Sequence, residues 1–331
     1  MTLPKALAIV SLSLFLIIGC AAFFKNKMKS PTPSAPLVTS LEIELDHQIH
    51  ELVPALAAPS ATVAAAEKSQ AKSGLEPPET NRIEELFNTK GPRLPIVETI
   101  TYRSHVPWQT GRPAWLSDYA SHYSTSRHFI ARSLNGKPDY LKQEIAEGDK
   151  FNVFKKDKDL SFRLIIDTSR CKLWLYYIDS DEPKPVLLKT YQVGLGRLDG
   201  SKTSGLLTPL GQYKLGERVA IFKPKTMGSH QGKKVELITV FGTRWIPFEK
   251  EIGQCTAPAK GFGIHGTPWS VLPSGERVDN CEGIGKYESD GCIRLSSTDI
   301  EEIFAIIITK PAVVEIVPDF FDSSFVNPSE N

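Results

Sequence analysis

Between Ser161 and about Val317 the chain alternates short apolar runs with glycine-containing turns, and this pattern restricts the possible fold more than any other feature. The runs 162–167 and 172–177 are rich in β-branched and aromatic residues and flank a short turn, which predicts a β-hairpin. Further strands are expected at 186–193, 213–215, 235–241 and 312–317. The region therefore predicts a mostly β domain.

One helix interrupts the strands near the end of this region. Ser296 or Ser297 can cap its first turn, and acidic residues follow at once, which suits the positive end of a helix dipole. The spacing of Ile300, Phe304 and Ile307 places one apolar face against the sheet.

Two glycine-flanked turns carry the residues with the clearest chemistry. One is Gly263-Ile-His-Gly-Thr267, and the other is Ser289-Asp-Gly-Cys-Ile-Arg-Leu295. A cysteine is nucleophilic as its thiolate, and it needs a base or a positive charge nearby to reach that form at neutral pH. We therefore predict that Cys292 is a nucleophile and that His265 is its base.

These two turns resemble the active site of the L,D-transpeptidase (YkuD-like) catalytic domain family. The match includes His265, Gly266 and Thr267 in the first turn and residues 291–294 in the second. It departs at Asp290, where the family usually has a second histidine, and the span between the turns is longer than usual at 278–285. A Thr-Pro-x-Gly turn begins at residue 208 at the matching place, so the resemblance extends over the β region.

The resemblance implies a β-sandwich with one or two helices and a role in cell-wall biogenesis and cell shape. It implies attack by Cys292 on peptidoglycan stem peptides through a thioester, 3→3 cross-linking, and no cofactor or metal. It also implies that a backbone carbonyl at Gly266 holds the ring of His265. Water as the acceptor would make the enzyme an L,D-carboxypeptidase, and a protein acceptor would make it an enzyme that attaches proteins to the wall.

Neighbouring residues suggest how substrate is held. The backbone N–H groups of Gly291 and Cys292 are candidate oxyanion donors. Arg294, Thr267 and Trp269 are the predicted substrate-binding residues. Arg294 shares a strand face with Cys292, so it can bind a carboxylate, although a structural ion pair is equally consistent.

Three further predictions concern the surroundings of the two turns. Trp269 either walls the cleft or is a core residue. Asp290 is expected to face a backbone amide or Arg294, and His230 is the second candidate for the base.

Residues 101–155 carry a different pattern, in which two helix signals lie between strand signals. Asn135-Gly136 marks the end of the second helix, and Gly148-Asp149 precedes the last strand. This order resembles a LysM module, a small α+β domain that binds peptidoglycan; a generic small α+β domain is the other interpretation. A non-catalytic peptidoglycan-binding protein that works through this module is the competing hypothesis of another class.

The sequence of the first 80 residues predicts a leader followed by a spacer. Residues 1–24 contain a long uncharged run that predicts a signal or membrane anchor, and Ile17-Ile-Gly-Cys20 resembles a lipoprotein processing box in which Cys20 is lipidated. Residues 25–80 are rich in Pro, Ala and Ser and predict a disordered spacer. We therefore expect a protein exported to the periplasm and anchored in the membrane as a lipoprotein or by a signal anchor.

Composition narrows the remaining possibilities. The net charge of +1 gives no reason to expect nucleic acid as a partner. No close Cys pair of the kind that binds structural zinc is present, so no metal site is expected. Cys255 and Cys281 are either a disulfide or free thiols. The catalytic domain is assigned to 160–318, and 319–331 is expected to be a flexible tail.

Overall fold

The structure is a computed structural model that describes residues 76–326. Its N-terminal region contains two strands and three helices. They are α1 (Glu84–Phe87), β1 (Val97–Thr101), α2 (Leu116–His122), α3 (Arg127–Asn135) and β2 (Lys150–Phe154). Strands β1 and β2 pair antiparallel. The expected order of strand, helix, helix and strand is therefore present at 97–154, and its assignment to the LysM family remains a prediction.

The ends of α3 follow the local sequence. The Ser126 side chain accepts a hydrogen bond from the His128 N–H and caps the first turn. Gly136 ends the helix with φ of 73°, a left-handed conformation that glycine adopts without a steric penalty.

The remaining strands follow in chain order. They are β3 (Leu160–Asp167), β4 (Lys172–Asp179), β5 (Glu182–Gln192), β6 (Leu195–Gly196), β7 (Gly211–Leu215), β8 (Ala220–Ile221), β9 (Met227–His230), β10 (Lys233–Glu236), β11 (Arg244–Ile252), β12 (Gly263–Gly266), β13 (Trp269–Val271), β14 (Arg277–Asp279), β15 (Tyr287–Ser289), β16 (Ile293–Leu295) and β17 (Ala312–Val317). The helices among them are α4 (Ile238–Phe241) and α5 (Ser297–Ile307), with 3-10 turns at Cys281–Gly283 and Phe320–Asp322.

Nine of these strands form one sheet. Its order is β16-β12-β11-β7-β17-β3-β4-β5, and β8 pairs with β11 beside this path. The pairs β12/β16 and β17/β3 are parallel, while the other pairs along the path are antiparallel. Strands contain 36% and helices 16% of the described residues, which confirms the predicted mostly β class.

Helix α5 packs on the sheet with the predicted apolar face. Ser296 caps it by accepting from the Asp299 N–H. Its burial extends further than the sequence predicts, because the N-terminal region covers its other side: the His128 ring lies 5.6 Å from the Phe304 ring. Phe129 also belongs to the same buried cluster as Phe162 of the sheet. The two predicted modules thus share one hydrophobic cluster, while a second cluster around Tyr119 and Phe151 belongs to the N-terminal region alone.

Two predictions about local structure were wrong. The expected strand at 235–241 ends at Glu236 and is followed by the one-turn helix α4, because a short apolar run does not distinguish strand from helix by its periodicity. The expected flexible tail is packed over residues 319–326, since Phe320 is buried at 4.5 Å from the Trp174 ring.

The predicted anchor at 1–24, with Cys20, and most of the predicted spacer at 25–80 lie outside the described residues. Within residues 76–326, no helix is both long and apolar enough to cross a membrane.

Candidate functional site

Cys292 lies in a tight turn between β15 and β16. Gly291, just before it, has φ of +121°, and a Cβ there would lie 2.6 Å from the Phe262 ring and 2.9 Å from the Leu207 carbonyl oxygen. Only glycine fits this position without a shift of backbone. The partly buried Cys292 thiol donates to the Gly261 carbonyl at 3.7 Å.

Two buried hydroxyl groups brace this turn. The Ser289 hydroxyl donates to the Cys292 carbonyl at 2.6 Å and accepts from the Gly291 N–H at 3.1 Å. The Thr208 hydroxyl donates to the Gly291 carbonyl at 3.0 Å and accepts from the Gly196 N–H at 2.7 Å. Because both carbonyls and the Gly291 amide are satisfied in place, the backbone around the cysteine is well determined.

These bonds correct the prediction for the oxyanion donors. The Gly291 N–H donates to Ser289 and so is not free to stabilise a developing negative charge. The Cys292 N–H remains the candidate donor on the nucleophile itself.

Strand pairing brings His265 to the same face as Cys292. In the parallel pair β12/β16, His265 lies opposite Arg294, and Ile264 lies opposite Ile293. His265 and Arg294 are paired in the ladder and therefore lie on one face of the sheet. Cys292 lies directly before β16, two residues from Arg294, so the alternation of side chains along the chain directs it to this face as well.

The ring of His265 is held in one orientation. Its Nδ1 lies 2.7 Å from the Gly266 carbonyl oxygen, which can only accept, so Nδ1 carries the proton and Nε2 is left with its lone pair. Two aromatic rings enclose the imidazole, with the Phe241 ring at 5.5 Å and edge-on and the Trp245 ring at 5.8 Å. The Gly266 carbonyl therefore occupies the place that the resemblance implied.

The surroundings keep both residues neutral at pH 7. Burial lowers the pKa of His265 to about 4, and the nearby charge of Arg294 acts in the same direction. Burial raises the pKa of the Cys292 thiol to about 11, against the opposing effects of the Gly263 backbone and Arg294. A neutral imidazole beside a protonated thiol is the starting state for general-base activation rather than for a preformed ion pair.

Arg294 lies at the edge of this face. Its Nε is buried and has no hydrogen-bond partner among the described residues. None of the ion pairs of those residues involves Arg294, and burial lowers the pKa of its guanidinium, partly offset by Asp290 and the Cys292 thiol. Of the two predicted roles, this arrangement favours binding of a carboxylate over a structural ion pair.

Thr267 and Trp269 belong to a supporting network instead of an open surface. Thr267 is buried, and its hydroxyl donates to Asp279, which also accepts from the Ser297 N–H at 3.1 Å. The half-buried Trp269 indole donates to the Ser297 hydroxyl at 3.0 Å. The Thr267 hydroxyl is therefore engaged within the protein, and contact of Thr267 with substrate stays a prediction.

Asp290 forms an ion pair with a residue outside the two turns. Its carboxylate pairs with Arg197 at 2.6 Å, and both side chains are largely exposed. The predicted partners, a backbone amide or Arg294, are therefore replaced by Arg197. Asp290 is the smallest of the influences that raise or lower the Cys292 pKa.

His230, the second candidate for the base, contacts the same aromatic ring as His265. Its ring lies 5.3 Å from the Phe241 ring, and Phe241 in turn contacts His265. Its charge also acts to lower the pKa of His265, as the smallest of the influences on that residue.

The cysteines at 255 and 281 are not joined. All four described cysteines are free. Cys255 donates to the Gln212 carbonyl at 3.2 Å, whereas Cys281 is exposed. Across the described residues, no three or more His, Cys, Asp or Glu side chains are grouped so that they could hold a metal ion.

Sequence reasoning missed four residues of the site. Ser289 and Thr208 were visible within the quoted turns, but nothing local indicated that their hydroxyls bond to the nucleophile's backbone. Phe241 and Trp245 come from a helix and a strand whose contact with His265 depends on the pairing of Trp245 with His265 across β11 and β12.

Comparison with known proteins gives a family match and two distant structural likenesses. Residues 161–316 match the model of YkuD, the L,D-transpeptidase catalytic domain. No curated protein matches. The chain is similar to the helical cell shape determining protein Pgp2 from Campylobacter jejuni, with 20% identity, a TM-score of 0.32 and coverage of 49% of each chain. It is also similar to Bd1075 from Bdellovibrio bacteriovorus, with 15% identity, a TM-score of 0.32 and coverage of 48% of each chain. Each likeness spans about half of the other chain.

Proposed function

We propose that this protein is a cysteine-dependent L,D-transpeptidase that acts on peptidoglycan stem peptides, because residues 161–316 match the model of the YkuD L,D-transpeptidase catalytic domain. The observation that carries the proposal is the orientation of His265. Its Nδ1 is committed to the Gly266 carbonyl, which leaves Nε2 as the nitrogen that can accept a proton.

The first step forms a thioester. Nε2 of His265 takes the thiol proton as the sulfur of Cys292 attacks the carbonyl carbon between the third and fourth stem residues. The carbonyl oxygen becomes negative in the tetrahedral intermediate, where the Cys292 N–H can donate to it. The C–N bond then breaks, and Nε2 returns its proton to the leaving amine.

The second step transfers the acyl group. An amine of another stem attacks the thioester carbon, His265 accepts the amine's proton, and the thiolate leaves and is protonated again. The product is a 3→3 cross-link between stems. Water in place of the amine gives a tripeptide, which is the L,D-carboxypeptidase alternative, and a protein amine gives attachment of that protein to the wall.

Arg294 supports this assignment of substrate. Stem peptides carry free carboxylates, and the half-buried guanidinium of Arg294, which no ion pair of the described residues uses, can bind one of them. We assign Arg294 to the stem that provides the acyl group, because it lies only two residues past Cys292, in strand β16.

The N-terminal region is proposed to bind the wall as a LysM-like module. A small cavity lies between α2, α3 and the loop that follows them, and it is lined by Leu116, Leu134 and Tyr140 together with charged side chains such as Lys137 and Glu144. Aromatic and polar side chains at this surface can contact the ring and the hydroxyl groups of a sugar. Variants of Tyr140 should weaken pelleting with purified sacculi without changing thioester formation.

The leader is proposed to export the protein and anchor it in the cell envelope. Residues 1–24 supply the apolar run, and lipidation at Cys20 would add acyl chains. Membrane fractionation of wild type and Cys20→Ala distinguishes the lipoprotein from the uncleaved anchor: loss of membrane association in the variant supports lipidation.

The experiment that tests the function is mass spectrometry of muropeptides after incubation of the protein with tetrapeptide-rich sacculi. Wild type is compared with Cys292→Ala. New 3→3 dimers or tripeptides with wild type alone support the thiol enzyme, and their ratio separates transpeptidase from carboxypeptidase. If neither protein gives a product while both still pellet with sacculi, the catalytic proposal is wrong and the non-catalytic wall-binding alternative stands.

A further inference from the structure

The β9–β10 hairpin, residues 227–236, has an inner and an outer face. His230 pairs with Lys233, and Gly228 pairs with Val235, so these four residues share one face. A Cβ at Gly228 would lie 2.7 Å from the Leu237 side chain, so this face packs against the residue that directly precedes α4. Ser229 pairs with Lys234 on the outer face.

The inner face of the hairpin contacts an aromatic ring that also contacts the predicted base. The His230 ring meets the Phe241 ring edge-on at 5.3 Å, and Phe241 meets His265 edge-on at 5.5 Å. Lys233 lies opposite His230 and is exposed. Among the described residues, no ion pair uses the ammonium group of Lys233.

The hairpin and the four residues that precede it carry an excess of positive charge. Four lysines and one glutamate lie between 223 and 236. That glutamate, Glu236, is engaged by Arg277 at 2.5 Å. A peptide that carries carboxylates is therefore attracted to this side of the site.

The reaction itself decides which substrate meets this hairpin. In the second step the incoming amine must lie within hydrogen-bond reach of Nε2 of His265, because His265 removes its proton. The acceptor therefore occupies the space beside His265. The acyl donor, by contrast, is bonded to Cys292.

We propose that His230 and Lys233 bind a carboxylate of the acceptor peptide and so hold its amine for attack on the thioester. This inference rests on the proposed function and specifies which substrate the hairpin recognises. The Lys233 ammonium and an N–H of the His230 ring are the two donors.

A binding measurement on full-length Cys292→Ala tests this without turnover. The probe is a synthetic stem tripeptide with a free side-chain amine, which lacks the fourth residue and so cannot act as acyl donor. Adding Lys233→Gln, or His230→Phe to keep the ring contact, should weaken binding about fivefold, as expected for one exposed charged contact. Adding Lys234→Gln, on the outer face, or Lys184→Gln, on β5 at the far edge of the sheet, should leave the Kd within about twofold.

Two further measurements decide the interpretation. A tripeptide whose carboxylates are amidated should bind all variants alike. With intact Cys292, Lys233→Gln should lower the ratio of 3→3 dimers to tripeptides while thioester formation stays unchanged. Equal Kd values for the Lys233 and Lys234 variants, or an equal effect on the amidated peptide, would overturn the inference. Failure of wild-type Cys292 to form a thioester would instead refute the proposed function.

Discussion

His265 of the sheet and His128 of the N-terminal region are both buried, and burial lowers the pKa of both, to about 4 and about 3 respectively. The Nδ1 atoms of the two histidines have opposite roles in their hydrogen bonds. Nδ1 of His265 donates to the Gly266 carbonyl, whereas Nδ1 of His128 accepts from the Tyr140 N–H at 3.2 Å. The proton of His128 therefore sits on Nε2, which leaves no basic nitrogen free. Burial alone does not identify a catalytic base; the partner of Nδ1 does.

The strongest test of this comparison is to replace each histidine by glutamine. His265→Gln removes the base, and the rate of tripeptide and dimer formation should fall about a thousandfold. His128→Gln should keep the rate within about threefold, because no reacting atom lies near it. Muropeptide analysis measures both rates, and circular dichroism checks folding. Comparable losses in two folded variants would contradict the distinction.

The two histidines should make similar contributions to the pH dependence of the free energy of unfolding. Each is neutral when folded and has a folded pKa below the ordinary value of 6.5, so the unfolded chain binds more protons below that pH. The free energy of unfolding should therefore be highest above pH 6.5 and fall as the pH drops toward 4, by roughly 2–3 kcal/mol per histidine at pH 4.5.

Urea unfolding at pH 7.5 and 4.5 measures this fall for wild type, His128→Gln and His265→Gln. Each variant should lose part of the pH dependence, since the carboxylates contribute equally to all three proteins. A variant with the full wild-type pH dependence would show that its histidine titrates normally in the folded state.

The nucleophile side of the site can be tested with a pair of threonines. Thr208→Val keeps the shape but removes both hydrogen bonds to the turn, which should cost about 1–3 kcal/mol of stability. We expect thioester formation to slow about tenfold, because the sulfur is then less well positioned. Intact-protein mass spectrometry of the acyl-enzyme measures the rate.

Thr190→Val is the matched control for this change. The buried Thr190 hydroxyl oxygen has no hydrogen-bond partner among the described residues, so its removal should be neutral or stabilising. If Thr208→Val behaves like Thr190→Val in both measurements, the proposed brace does not exist.

The smallest effect is expected at Asp290. Asp290→Asn breaks an exposed pair with Arg197, which should change the free energy of unfolding by under about 1 kcal/mol. Removal of the negative charge should lower the Cys292 pKa slightly, and alkylation of the thiol should speed up by less than about threefold. A larger acceleration would mean that Asp290 restrains the nucleophile.

Local sequence predicted the parts of the site that lie within one turn. Cys292 and Gly291 are adjacent, and His265 and Gly266 are adjacent, so the motif residues could be named in advance, and the family resemblance implied the carbonyl that orients the ring. The helix start at Ser126 and the helix end at Gly136 were predictable for the same reason, because caps are satisfied by near neighbours.

Contacts between distant segments were not predictable in this way. The sequence indicated a β domain with a cysteine and a histidine in glycine turns, since alternation and turn residues act locally. Tertiary structure alone decided that Thr208 braces Gly291, that Asp290 pairs with Arg197, and that Phe241 contacts both His265 and His230. Each of these contacts depends on strand register and on packing between segments that are far apart in the chain. The sequence of one segment does not specify which distant segment it contacts.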